Sequence, residues 1–166
     1  MPARLDATDI AILNLLQRNA AASVAEIADQ VGLSQSPCWR RIRRLEKDGF
    51  VRERVAVLDR RKLGLNLEVF AQVRFFREQA DTLTRFEAAV RSAPEVVECH
   101  MLMGDVDFLL RIVTHDVESY ERFLRDTLAV LPGVRDIRST ISISTIKSGQ
   151  ILPLELTRDT PAGGAA

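Results

Sequence analysis

Between residues 34 and 54 the chain carries seven Lys or Arg (Arg40, Arg41, Arg43, Arg44, Lys47, Arg52, Arg54) against three acids (Glu46, Asp48, Glu53). Guanidinium groups grip phosphate bidentately or read the O6 and N7 edge of guanine. Within this stretch Cys38, Ile42 and Leu45 recur at i, i+4 and i+7, the mark of one buried helix side. Gln35, Ser36, Trp39, Arg40, Arg43 and Lys47 fall off that side, and Arg41 and Arg44 flank it. The candidate DNA contacts are therefore Gln35, Ser36, Trp39, Arg40, Arg43, Arg44 and Lys47. A solvated surface helix has the same pattern, so the weight of the reading lies in what precedes it. Trp39, the single tryptophan, suits two roles: packing on sugar and backbone, or sealing the edge of a small helical core.

A second candidate is Gly104-Asp105-Val106-Asp107, two carboxylates on a flexible turn. Such a loop can hold the ammonium of a small amino acid, and a plain hairpin turn looks the same. His100 and His115 stand alone, and no His, Cys, Asp or Glu set has ligand spacing, so no metal or cofactor is expected. No G-x-S-x-G nucleophile motif or phosphate-binding glycine loop appears, which argues against an enzyme. Cys38 and Cys99 read as reduced thiols.

The elements that must position these residues follow from periodicity. Asp6 can cap a first helix with Ile12, Leu13 and Leu16 on one face, ended near Asn19. Ser23-Val-Ala-Glu26 is a capping box, followed by an apolar stripe of Val24, Ile27, Ala28 and Val31 and a stop at Gly32. Either Ser34 or Ser36 can cap the basic helix, Pro37 fits its first turn, and Gly49 ends it. A capped helix, a short glycine turn and a basic helix make the helix-turn-helix pattern. Residues 50–58 alternate apolar and charged and read as a strand, a wing or a linker.

From residue 66 the pattern changes. Residues 67–76 read as a strand, 82–91 as a helix with Leu83, Phe86 and Val90 inward, and 96–103 and 108–113 as a hairpin. Asp116 can cap a helix with Val117, Tyr120, Leu124, Leu128 and Leu131 on one face, and 134–146 read as a last strand. The order βαββαβ is the ferredoxin-like plan, so the fold class is α+β. The expected domains are a helix-turn-helix at 1–50, a linker strand or wing at 51–64, a sheet domain at 65–154 and a flexible tail at 155–166. Of the 166 residues 46% are hydrophobic and 28% charged, with formal net charge zero, so the partner is set by a local patch rather than by bulk charge. No apolar run approaches the ~20 residues of a membrane span, and the expected location is cytoplasmic.

With these motifs in order, the sequence resembles the Lrp/AsnC family of feast/famine regulators over residues 4 to about 154. The marks are Leu5-Asp6-x-x-Asp9-x-x-Ile12-Leu13, Glu26-Ile-Ala-x-x-Val-Gly-Leu-Ser34, and Ser36-Pro37-x-x-Arg40-Arg41-Ile42-x-Arg44-Leu45-Glu46-x-x-Gly49. They continue through Val57-Leu58-Asp59-x-x-x-Leu63-Gly64, Gly104-Asp-x-Asp107, Leu131-Pro-Gly-Val134 and Thr140-x-x-x-x-x-Ile146-Lys147. The resemblance implies a winged helix-turn-helix joined to an effector domain, and a homodimer formed through the sheets that assembles further, often to an octamer. It implies a small effector, usually an amino acid, bound where dimers meet. Carried over, the effector residues are Gly104, Asp105 and Asp107, with Thr140, Ile141 and Ser142 from a facing strand. The expected function is a sequence-specific transcription regulator on double-stranded DNA; an architectural, DNA-wrapping protein with little effector response is the alternative.

Overall fold

The computed structural model describes residues 5–76, 80–149 and 151–159. Its first helix, α1 (Ala7–Arg18), starts where the Asp9 amide donates to the Asp6 carboxylate and the Asp6 amide donates to the Asp9 carboxylate. Ser23 and Glu26 repeat the arrangement at the start of α2 (Val24–Gln30), as the sequence predicts. Reciprocal caps of this kind satisfy two helix-end donors at once. Past α2, Gly32 turns the chain with φ at 67°, a conformation that a side chain would strain. Ser34 then opens α3 (Gln35–Lys47). The three helices close on Ile12, Leu13, Leu16, Ile27, Ala28, Cys38, Ile42 and Leu45, so the stripe read from α3 is its buried side.

The strand expected over residues 50–58 is absent. The segment has no ladder partner within the chain, and Val55, Val57 and Leu58 are exposed. Alternation alone does not make a strand, because the backbone groups need a second strand to bond.

Four strands form the sheet: β1 (Leu67–Phe75), β2 (Val96–Met101), β3 (Phe108–Thr114) and β4 (Val134–Ile141), in the order β2-β3-β1-β4 and all antiparallel. With α4 (Ala80–Ser92) and α5 (Val117–Phe123) they complete the expected βαββαβ order. Val69, Ala71 and Val73 of β1 and Phe108, Leu110 and Ile112 of β3 share one face and pack with Phe86, Val90, Tyr120, Phe123 and Leu128. A single helix-covered face explains the alternation along these strands.

Two details differ from the sequence reading. Along α5 the buried residues are Tyr120 and Phe123, while Val117, expected inward, is 56% exposed. The buried direction falls between Tyr120 and Phe123, and a π turn at Leu124–Leu128 then resets the register so that Leu128 is buried. β4 stops at Ile141 rather than at 146, since the Ser142 amide bonds the Glu68 carbonyl and β1 begins only one residue earlier. Ile143 and Ile146 are exposed beyond it.

The chain divides into two compact units. One holds the residues up to Val57 together with the segment from Lys147 on; the other is Leu58–Ile146. The expected boundaries lay at 64 and 154. Arg60 donates to the Leu65 and Asn66 carbonyls, which ties the turn before β1 to the sheet unit. After β4 the chain returns to the helices: the Gln17 amide group donates to the Leu152 carbonyl and accepts from the Leu152 amide, and Leu154 packs on the helical core. Residues 155–159, expected as flexible tail, lie in a 3₁₀ turn (Leu154–Asp159). The rest of that tail, 160–166, lies outside the described residues.

Candidate nucleic-acid interface and effector residues

At about 100° per residue, Gln35, Trp39, Arg43, Ser36, Lys47, Arg40 and Arg44 follow one another across roughly half the circumference of α3. All seven are exposed. Ser34 makes no side-chain cap, which leaves the first-turn amides of α3 without that partner. Trp39 is 49% exposed and is not among the buried residues of the helical core. The Arg43 guanidinium instead lies over its ring, 5.6 Å from the centroid. Arg43 is also 3.5 Å from Glu46, whose other oxygen is taken by Arg54 at 2.9 Å.

The arginines of α3 divide by direction. Arg41 pairs with Asp6 at 2.6 Å and with Asp9 at 2.8 Å, and Arg44 pairs with the second oxygen of Asp9. The Asp9 side chain is buried, so this is an anchor for α3 on α1 as well as a cap. Hydrogen bonds to Asp6 and Asp9 push the Arg41 guanidinium further up. The Asp9 amide and then Arg41 hold the Asp6 carboxyl below its usual range. Arg44, read as a DNA contact, thus has an internal partner. Among the described residues Arg40 and Lys47 make no ion pair. Burial pushes the Cys38 thiol up, consistent with a core position.

The proposed effector residues do not meet within one chain. Gly104, with φ at 149°, and Asp105 sit on the loop that feeds β3, whose first residue Phe108 pairs with Val73. Asp107 is committed to its own loop: one carboxylate oxygen accepts from the Phe75 amide at 2.7 Å, and its amide donates to the Val73 carbonyl. Thr140 and Ile141 pair with Phe70 and Val69 at the other end of β1. Four residues of strand separate the two groups, about 13 Å. Ile141 is 51% exposed at that end.

The sequence reading missed the charged cluster beside Thr140 and Ser142. Glu68 is buried, and its carboxylate meets Arg111 at 3.1 Å, Arg60 at 3.5 Å and the Thr145 hydroxyl at 3.3 Å. Arg111 also binds Glu98 at 2.7 Å and holds its carboxyl below the usual range. The available signal was a lone glutamate between apolar residues in Leu67-Glu68-Val69-Phe70. No described helix is long and apolar enough to cross a membrane.

Comparison with known proteins gives matches across both units. Residues 5–52 match the family model for winged helix-turn-helix DNA-binding domains, and residues 68–152 match that for the Lrp/AsnC ligand binding domain. The chain is 39% identical to a glutamate uptake regulatory protein of Zymomonas mobilis, covering 94% of each. It is 37% identical to the leucine-responsive regulatory protein of Escherichia coli K12, covering 91% of this chain and 92% of that one. A transcriptional regulator of Neisseria meningitidis solved in complex with L-Met is 38% identical, with a TM-score of 0.90 over 93% of this chain and 99% of that one.

Proposed function

The chain belongs to the Lrp/AsnC family of transcription regulators, and from that premise we propose how its DNA-binding and effector-responsive halves work. α3 enters the major groove, which is wide enough for one helix. Arg43 reads a base edge from the middle of the exposed arc. Arg40, Lys47 and the first-turn amides hold phosphate, and Gln35 and Ser36 lie at the entering end. Arg44 stays with Asp9 and contributes its exposed edge. The observation that carries this reading is the outward arc itself, in which Arg40 and Lys47 have no ion-pair partner among the described residues to give up on binding.

The effector is an amino acid, a reading supported by the likeness to the regulator solved with L-Met. Asp105 takes its ammonium, while Asp107 and Gly104 shape the loop around it. Thr140, Ile141 and Ser142 come from a second copy, because one chain keeps the two groups at opposite ends of β1. A homodimer assembling further, to an octamer, supplies that second copy in the cytoplasm. The ligand then acts by favouring one assembly over another, through its different affinity for each.

Two measurements test the reading. Arg43→Ala weakens binding to a selected operator by about 1–3 kcal/mol while binding to random duplex changes little. A thermal-shift series over the amino acids finds at least one that raises the unfolding temperature, since a ligand of the native state stabilises it. An unaltered operator affinity removes the groove reading, and a series without any shift removes the effector reading.

A further inference from the structure

Trp39 and Arg43 are four residues apart on α3, so they stand one above the other on its exposed side. The guanidinium lies 5.6 Å from the indole centroid, within the range where the ring's negative face attracts a cation. The Arg43 side chain is 65% exposed and touches one acid, Glu46, at 3.5 Å. The other oxygen of that acid binds Arg54 at the shorter distance of 2.9 Å, and Arg54 is itself held by the Ala20 carbonyl. Glu46 therefore competes weakly for Arg43, and the indole is the surface against which the side chain rests. Trp39 is not among the buried residues of the helical core, and about half of its surface is open on the side of α3 that carries Arg43.

From this arrangement we infer that Trp39 is a positioning residue for Arg43, stacking the guanidinium so that its free edge is presented to the O6 and N7 of one guanine. The inference rests on the reading of α3 as the groove helix. A long, mobile side chain loses rotamer freedom when it binds, and one already held beside a ring loses less. A guanidinium has five N–H donors, so the contact with the ring and the long one with Glu46 leave others for a base edge. Discrimination for guanine at that base pair then depends on Trp39, although Trp39 touches no base.

The test is selection of sites from a random duplex library by the full-length protein and its variants. R43A removes a guanine preference at one position of the selected motif. W39A weakens that same preference about two- to fivefold, as expected for loss of an exposed cation–π contact, and leaves the other positions unchanged. W39F, which keeps an aromatic face, restores most of it. R43K retains the charge and phosphate affinity but loses the preference, because an ammonium lacks the bidentate edge. Unfolding midpoints measured in parallel stay within a few tenths of a molar of urea for all four. A motif that depends on Arg43 but is indifferent to W39A overturns the positioning role alone. Uniform weakening at every position by W39A also overturns it and makes Trp39 a backbone contact. A motif unaffected by R43A overturns the groove reading of α3 and this inference with it.

Discussion

The proposed DNA contacts of the helical unit lie together on one helix of a single copy, whereas the proposed effector residues of the sheet unit lie toward opposite ends of one strand. The difference comes from the element each uses. A helix brings residues up to twelve positions apart onto one side within about 18 Å, so the outward arc of α3 is finished as soon as the helix forms. A strand runs straight, so the 104–107 loop and residues 140–141 stay apart within one chain.

The strongest way to break the helical half of this comparison is to remove its anchor. R41A/R44A leaves the buried Asp9 carboxylate without a cationic partner and lowers stability by about 3–5 kcal/mol. R40A/R43A, the same number of arginines from the same helix, changes stability by less than about 0.5 kcal/mol and reduces DNA binding instead. Urea unfolding separates the pairs, and equal losses would erase the division between inner and outer arginines.

The corresponding blow to the sheet unit falls at Gly133. Its φ is 82°, and a Cβ there would lie 2.1 Å from the Thr82 methyl carbon. G133A should cost about 2–3 kcal/mol through strain and that clash, read as a lower unfolding temperature. A neutral outcome would mean that the turn before β4 relaxes freely.

Mixing experiments sharpen the split-site half. D105A and T140A each abolish the amino-acid response if both groups are needed. Equal mixtures recover about a quarter of the sites, because random assembly pairs an intact loop with an intact strand end from different copies. No recovery after refolding the two together would place the site within one copy.

The smallest effect is the acid side of the α1 cap. The Asp6 carboxyl is held below its ordinary 3.8 by the Asp9 amide and then by Arg41. A lowered carboxyl contributes stability above its unfolded pKa and loses it as the pH falls through the folded one. Unfolding compared across pH should show the advantage of wild type over D6N complete above 3.8 and disappearing below it. An advantage that persists far into acid would assign it to hydrogen bonding by the neutral acid.

The comparison also explains what could be read in advance. Caps and stripes are local, and the Ser23 and Glu26 box, the Gly32 stop and the Cys38, Ile42, Leu45 side all emerged from residues a turn apart. The strand at residues 67–76 was legible from its composition, but which of its faces is buried, that of Val69, Ala71 and Val73, comes from the structure. What stayed hidden depends on distant partners. Residues 50–58 have strand-like alternation without a strand to pair with among the described residues, and β4 ends where β1 begins. The return of Leu152 to Gln17 spans 135 positions and has no local mark. At the site, residue types marked the outer arc of α3, but the division of its arginines required Asp9, buried on another helix.

The central claim is that α3 meets DNA with its outward arc. The slope of log binding constant against log salt, measured for wild type and R40A/K47A on a selected operator, tests it directly. With two phosphate contacts removed the slope should fall by about 2, with the urea midpoint unchanged. An identical slope and affinity in both proteins would contradict the claim and move the DNA-binding surface elsewhere.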